Sequence, residues 1–212
     1  MRILHVTDFH FRKRWYAWLS EAALGYDLVC FTGDFLEMFT GHDLSLWNQA
    51  EWVEDWLHEF PKPLVGCLGD HDRVLRGPCG VVTLLGAGDS TTVGDQKFIC
   101  WPWNPSAYLP EGPLIVLSHA PPAGIFVAQN EEGDVGDPEL SSEITRLPRG
   151  SLILCGHNHD PRRWYAETRG KWCLNPGCNL EADFPNHIGI DTTARTAAFR
   201  AQDFSPPPVR LY

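Results

Sequence analysis

Short apolar runs alternate with amphipathic segments along the first third of this chain. Runs at residues 3–7, 28–32 and 64–68 have the length and composition of buried strands. Between them, apolar residues recur every three or four positions over 15–23 and 46–60, which indicates two helices, and prolines stop the second. Strict alternation of strand and helix predicts parallel strand pairing through right-handed crossovers.

The second half of the chain has a less regular pattern. It predicts strands at 81–85, 93–100, 114–118, 152–155, 163–168, 171–175, 187–190 and 196–199. A loop rich in proline and aromatic residues spans 101–110, and a helix is expected over 138–147 with Asp137 as its N-cap. Because no internal repeat and no linker interrupt the pattern, we expect residues 1–212 to form one α/β domain.

Titratable side chains follow five of these apolar runs at the point where each run ends. They are Asp8 and His10; Asp34; Asp70, His71 and Asp72; His119; and His157 and His159. In open α/β sheets, ligands bind beyond the carboxyl ends of the strands. In D-x-H and H-x-H, residues two apart in an extended segment point the same way, so both can reach one metal. Mixed carboxylate and imidazole ligands suit Mn, Fe or Zn.

Composition narrows the class of protein. Hydrophobic residues make up 43% of the chain and charged residues 21%, which is typical of a folded globular protein. The formal net charge of −10 argues against a broad nucleic-acid-binding face. No apolar segment approaches the roughly 18 residues that span a bilayer, and no signal peptide is evident, so we expect a cytoplasmic protein without membrane contact.

Taken in order, the five motifs resemble the signature of the calcineurin-like metallophosphoesterases, which runs D-x-H, G-D, G-N-H-D/E, H and G-H-x-H. The matching motifs are Asp8-Phe9-His10, Gly33-Asp34, Gly69-Asp70-His71-Asp72, His119 and Gly156-His157-Asn158-His159. The resemblance implies a four-layer α/β/β/α sandwich of two mixed sheets, which is the metallo-dependent phosphatase fold.

The resemblance also implies a centre of two divalent metal ions. It would place Asp8, His10 and His159 on the first ion, Asp70, His119 and His157 on the second, and Asp34 between them. Mn is the expected metal, with Fe, Zn or Ni as alternatives. Two cations about 3.5–4 Å apart bind a phosphate and lower the pKa of a bridging water, so that a bridging hydroxide attacks phosphorus.

Three adjacent positions add to this chemistry. His71 is implied to lie outside the metals, where it would donate a proton to the departing alkoxide or stabilise charge on phosphorus. Asp72 is a candidate to orient His71, with a helix cap as the alternative. Asp70 stands where the family pattern has Asn, so the site would carry one more negative charge and attract phosphate less. We therefore expect slower turnover than in a family member with Asn at this position, and a weakly active or inactive metal-binding scaffold is one alternative function.

Candidate substrate contacts flank the motifs. Arg162 and Arg163 could steer a phosphoester into the site, although solvated loop charges are the alternative. Trp101, Trp103 and Tyr108 could stack on a base or an aryl group, with packing under the loop as the alternative. We predict a phosphodiesterase for small or nucleotide-like substrates, because no large cap domain fits into 212 residues. A nuclease of the same fold is the other alternative.

Overall fold

The computed structural model describes residues 1–39, 43–76, 81–104, 106 and 109–211. The candidate substrate contact Tyr108 lies outside these residues, and so does His42, which we expect at the surface. No helix within the described ranges is long and apolar enough to cross a membrane.

Thirteen strands and three α-helices occupy the part of the chain that the structure describes. The strands are β1 (Arg2–Val6), β2 (Leu28–Thr32), β3 (Leu64–Cys67), β4 (Val82–Leu85), β5 (Ser90–Val93), β6 (Gln96–Cys100), β7 (Ile115–Leu117), β8 (Leu152–Leu154), β9 (Tyr165–Thr168), β10 (Lys171–Leu174), β11 (His187–Asp191), β12 (Thr196–Arg200) and β13 (Val209–Arg210). The helices are α1 (Lys13–Ala22), α2 (Leu46–Glu59) and α3 (Pro138–Glu143). Short 3-10 turns occupy Ala23–Gly25, Phe126–Ala128 and Ile144–Arg146.

The strands form two mixed sheets. The first has the order β13-β12-β11-β1-β2-β3-β4, in which β1 to β4 are parallel and the other pairs are antiparallel. The second has the order β5-β6-β7-β8-β10-β9, with a parallel centre and an antiparallel strand at each edge. The parallel strands β1, β2 and β3 of the first sheet follow from the alternating pattern in the sequence, because such pairs need a crossover connection.

Three apolar cores separate four layers. Helices α1 and α2 cover the outer face of the first sheet, where Trp15 and Leu57 pack with Phe31. A second core lies between the sheets. Helix α3 covers the outer face of the second sheet, where Leu140 packs with Val116. Successive side chains of a strand point to opposite faces, so each central strand contributes side chains to two cores. The predicted α/β/β/α sandwich of two mixed sheets is therefore confirmed.

Some boundaries differ from the sequence-based expectation. The strand expected over 93–100 is a hairpin of β5 and β6, because Gly94 turns the chain with a φ of +61°. The helix expected over 138–147 is shorter: α3 ends at Glu143, and a 3-10 turn follows over Ile144–Arg146. Asp137 is its N-cap as predicted and accepts hydrogen bonds from the backbone N–H groups of Glu139 and Leu140. Strand β13 follows the proline run at 206–208, where the sequence pattern predicts no strand, and pairs with β12.

Candidate metal centre

Loops that follow strands of both sheets meet at one edge of the sandwich. These strands are β1, β2 and β3 of the first sheet and β7 and β8 of the second. Backbone hydrogen bonds tie the loops to one another: Asp8 N donates to Gly33 O at 3.0 Å, and Gly156 N donates to His119 O at 2.9 Å. The five motifs therefore lie together, although the first and last are about 150 residues apart in the chain.

Four predicted site residues have left-handed backbone geometry. Their φ angles are +55° for Asp8, +43° for His10, +57° for Asp34 and +64° for His157. Non-glycine residues hold this conformation only where the surroundings impose it, and such strain clusters at functional sites. The expectation of extended D-x-H and H-x-H segments is therefore wrong: turns bring these side chains together, and strand alternation does not.

Two glycines allow the loops to approach closely. A Cβ at Gly69 would collide with the backbone N and carboxylate of Asp34. A Cβ at Gly156 would collide with the Thr7 hydroxyl and the Asp8 carboxylate. Glycine at these two positions is thus required for the carboxylates to lie where they do.

Asp8, His10 and His159 form the first triad of possible metal ligands. His10 Nε2 lies 3.0 Å from His159 Nε2, and His159 Nε2 lies 3.5 Å from Asp8 Oδ1. His10 Nε2 is 3.9 Å from the same Asp8 oxygen. Three ligand atoms therefore converge on one point, as a metal site requires.

Asp70, His119 and His157 form a second triad. Asp70 Oδ1 lies 3.0 Å from His119 Nε2 and 3.4 Å from His157 Nδ1. His119 Nδ1 lies 2.8 Å from the carbonyl oxygen of Thr32, which can only accept, so Nδ1 carries the proton. In the neutral ring the lone pair of Nε2 would then face the triad, and a hydrogen-bonded second nitrogen is typical of metal-binding histidines.

Asp34 lies between the two triads. Its Oδ2 atom is 3.7 Å from His10 Nε2 and 3.3 Å from His119 Nε2. It can join a group of metal ligands on either side. This is the position that a bridging carboxylate needs.

The electrostatics of this cluster fit a cation. Burial raises the pKa of Asp8, but the hydrogen bond from His159 and the nearby His119 and His10 outweigh it and lower the pKa to about 2. Burial lowers the pKa of His119, but Asp34 and Asp70 outweigh it and hold the pKa well above its ordinary value. Asp8 is therefore ionised at neutral pH, and a buried carboxylate needs a positive partner, either a protonated imidazole or a metal ion.

His71 lies beside Asp34 and is 7% exposed. Its Nε2 atom is 3.9 Å from Asp34 Oδ2 and 3.9 Å from Asp70 Oδ2. Its Nδ1 atom accepts a hydrogen bond of 3.1 Å from the backbone N–H of Met38. In the neutral ring the proton is therefore on Nε2, which faces the site.

Asp72 does not orient His71, contrary to the sequence-based prediction. Its Oδ2 atom accepts hydrogen bonds of 2.9 Å from the backbone N–H groups of Asp34 and Gly69, and Oδ1 accepts one of 3.0 Å from Leu36 N. The carboxylate is fully buried and joins the loops after β2 and β3. Asp72 therefore positions the backbone of the site and makes no described hydrogen bond to the imidazole.

Glu37 is a site residue that the sequence reasoning missed. It is 8% exposed, and its Oε2 atom lies 3.4 Å from His10 Nδ1. Its Oε1 atom lies 3.6 Å from His71 Nδ1 and accepts a hydrogen bond from the backbone N–H of Phe39. One signal was present: Glu37 is an acid within an otherwise apolar stretch that directly follows Gly33-Asp34.

The predicted substrate contacts have different surroundings. Trp101 lines a cavity of about 520 Å³ that also touches the second triad. Trp103 is 3% exposed and packs in the core beneath α3, so it is not available to a substrate. Arg163 lies over the ring of Phe126, and neither Arg162 nor Arg163 is among the described residues that line this cavity.

Comparisons with known proteins point to one family. A family model described as calcineurin-like phosphoesterase matches residues 1–161. No curated protein sequence matches the chain. Among solved structures, the protein TT1561 of Thermus thermophilus has a TM-score of 0.61 at 12% identity, with 100% of this chain and 99% of that chain covered.

Two enzymes of solved structure share the architecture. A purple acid phosphatase from yellow lupin seeds has a TM-score of 0.59 at 12% identity, over 98% of this chain and 53% of that chain. An archaeal phosphodiesterase has a TM-score of 0.54 at 15% identity, over 94% of this chain and 99% of that chain. At these identities, the likeness demonstrates the fold alone.

Proposed function

Because this chain belongs to the calcineurin-like phosphoesterase family, we propose that it hydrolyses small phosphodiesters at a centre of two divalent metal ions. Family membership makes the chain a metal-dependent phosphoester hydrolase. The number of ions, their identity and the substrate class are our proposal. The observation that carries it is the position of Asp34 between two ligand triads, since ions on either side of one carboxylate can bind a single phosphate.

The proposed ligands divide into two sets around Asp34. They are Asp8, His10 and His159 for one ion and Asp70, His119 and His157 for the other. Mn suits this mixture of oxygen and nitrogen ligands, and Fe, Zn and Ni are alternatives. When bound, the ions would supply positive charge for the phosphate and a nucleophile at neutral pH.

His71 would act on the substrate through Nε2. The neutral ring, with its proton on Nε2, can donate a hydrogen bond to a phosphate or leaving-group oxygen without any change of protonation. Proton transfer to a departing alkoxide needs the imidazolium, whose Nδ1–H would face the N–H of Met38. We therefore favour stabilisation of charge on the phosphate over proton donation.

The preference for small diesters is supported by shape and charge. The cavity beside the second triad, about 520 Å³, has room for one organic substituent of the phosphate. A net charge of −10 disfavours a nuclease, because phosphate backbones are bound by clustered cations. Steering by Arg162 and Arg163 and a cytoplasmic location stay predictions.

The test combines metal analysis with a hydrolysis assay. The full chain is stripped with a chelator and titrated with Mn, and turnover of bis(4-nitrophenyl) phosphate and 4-nitrophenyl phosphate is followed. We expect two Mn per chain and faster hydrolysis of the diester. Asp34→Asn should lower kcat by at least about 100-fold, because both ions lose a shared charge.

Asp95→Asn is the matched control, because Asp95 is an exposed carboxylate in the hairpin turn of β5 and β6. It should behave as the wild type. Binding of one Mn per chain would contradict the dinuclear centre. Two Mn per chain without hydrolysis of either ester would favour a metal-binding scaffold, and cleavage of DNA oligonucleotides would favour a nuclease.

A further inference from the structure

A cleft opens from the second triad toward α3. Asp70, His119 and His157 contribute to it, together with Leu68, Trp101, Pro102 and Glu139. Its volume of about 520 Å³ falls within the range of small-molecule sites. A phosphate bound at the triad would therefore direct one of its substituents into this cleft.

Leu68, Trp101 and Pro102 form an apolar part of the cleft wall, and the Trp101 ring is held in place. Leu68 directly follows β3, is 39% exposed and lines the cleft. The indole N–H of Trp101 donates a hydrogen bond of 2.6 Å to Asp137 Oδ2, and its ring contacts Trp103 edge-on at 4.7 Å. A ring held in this way loses little conformational entropy when a ligand packs on it.

The charges around the cleft are negative. Asp137 already accepts hydrogen bonds from Trp101 and from the N-terminal turn of α3, but Glu139 is exposed at the rim. No Lys or Arg is among the described residues that line the cleft. A second anionic group at the far end of the cleft would meet no described Lys or Arg and would face Glu139.

We propose that this cleft binds an uncharged aromatic or apolar substituent of the substrate, with Trp101 and Leu68 as the contact surface and Glu139 as a filter against a second anion. This specificity rests on the proposed function, because it assumes a phosphate at the triads. It places compact aryl or nucleoside esters within the substrate class and places esters with a further phosphate outside it.

The test measures binding, so that it does not depend on turnover. Methylphosphonate, phenylphosphonate and 4-carboxyphenylphosphonate are titrated by calorimetry into the Mn-loaded chain. We expect phenylphosphonate to bind about tenfold more tightly than methylphosphonate, a difference that matches stacking of one ring on an aromatic side chain. Trp101→Ala should reduce this ratio to less than about twofold, whereas Trp101→Phe should keep most of it.

Glu139 is tested with the charged probe. Glu139→Gln should raise the affinity for 4-carboxyphenylphosphonate, relative to phenylphosphonate, by about threefold. Trp47→Ala and Glu51→Gln on α2 are matched controls, because both residues are exposed there and line another cavity. Both should keep the wild-type ratios, and unfolding midpoints check that each variant is folded.

The outcomes separate the two proposals. Equal affinity for the phenyl and methyl probes in the wild type would overturn the cleft assignment, even if the enzyme hydrolyses diesters. An equal loss of the ratio in Trp101→Phe and Trp101→Ala would also overturn it, because the hydrogen bond to Asp137 would then explain the effect. A phenyl preference that depends on Trp101, without hydrolysis of any ester, would support the cleft and reject the proposed function.

Discussion

Asp70 has contacts on both sides of its carboxylate. Oδ1 lies 3.0 Å from His119 and 3.4 Å from His157, and Oδ2 lies 3.9 Å from His71 Nε2. The hydrogen bond with His119 outweighs burial and lowers the pKa of Asp70 well below its ordinary range, so the group is anionic at neutral pH. It therefore adds a full negative charge next to the place where a phosphate would bind.

Asp70→Asn should raise kcat/KM for bis(4-nitrophenyl) phosphate about fivefold at saturating Mn. The amide keeps a ligand oxygen and removes one negative charge, which at this half-exposed position corresponds to roughly 1 kcal/mol. It also places an N–H donor toward the phosphate. Steady-state kinetics on both proteins measure the effect.

Two further observations complete that comparison. Mn affinity should fall in Asp70→Asn, because the substitution removes a carboxylate charge that attracts the metal. The Mn titration is therefore repeated for the variant. Asp95→Asn removes an exposed charge far from the ligand triads and should change neither quantity. If Asp70→Asn has the same kcat/KM as the wild type or a lower one, the charge argument is wrong.

At the scale of elements, α2 holds the loop that follows β2. Gln49 is 2% exposed and lies on the first turns of α2. Its Oε1 atom accepts a hydrogen bond of 2.9 Å from Glu37 N, and its Nε2 atom donates to the carbonyl oxygens of Glu37 and Leu44. One side chain of the helix thus satisfies three backbone groups, two of them through buried hydrogen bonds to Glu37, the residue beside His10 and His71.

Gln49→Ala should lower the free energy of unfolding by about 3 kcal/mol, because two buried backbone groups and one partly buried group lose their partners. It should also lower kcat, since Glu37 loses its fixed position beside both histidines. Guanidinium unfolding and the diester assay measure the two effects. Glu51→Ala, an exposed change on the same helix, should stay within about 0.5 kcal/mol of the wild type. A similar loss in both variants would argue against a special role of the Gln49 hydrogen bonds.

At the scale of the whole molecule, one buried histidine makes stability depend on pH. His5 lies on β1 between Leu4 and Val6, is fully buried, and has its Nε2 atom 3.0 Å from the Thr32 hydroxyl. Burial lowers its pKa from 6.5 to about 3, although the nearby Asp8 opposes this shift. The folded chain therefore keeps His5 neutral at pH values where the unfolded chain binds a proton.

Because of His5, the free energy of unfolding should fall as the pH falls from 6.5 toward 3. In this window the unfolded state gains a proton that the folded state excludes, so the free energy of unfolding drops by up to about 1.4 kcal/mol per pH unit. In metal-free protein, His5→Val should lose about 2 kcal/mol less than the wild type between pH 7 and pH 5. Guanidinium unfolding at the two pH values measures the difference.

His58→Gln provides the comparison for that experiment, because His58 is exposed on α2. Its pH dependence should equal that of the wild type. If His5→Val shows the same loss of stability as the wild type between the two pH values, His5 does not exclude the proton in the folded state.

The sequence by itself determined the alternation of elements and the side chains that close the apolar runs. Apolar periodicity depends on which face of a strand or helix is buried, so it predicted alternating strands and helices without distances, whereas the α/β/β/α order was implied by the resemblance of the motifs to a family signature. The same runs end at Asp8, Asp34 and His119, because strands in such sheets deliver side chains at their carboxyl ends. Hairpin and helix boundaries were less accurate, since single glycines and short turns decide them.

Only the tertiary structure decided what each side chain touches. His10 and His159 are separated by 149 positions in the chain and lie 3.0 Å apart, a contact that depends on how the loops fold over both sheets. The same packing buries Trp103, exposes Trp101 to the cleft and turns Asp72 toward backbone N–H groups. The local sequence pattern predicts which residues are buried and where the chain turns. The contacts of these side chains depend on distances between loops, which no single segment of the sequence determines.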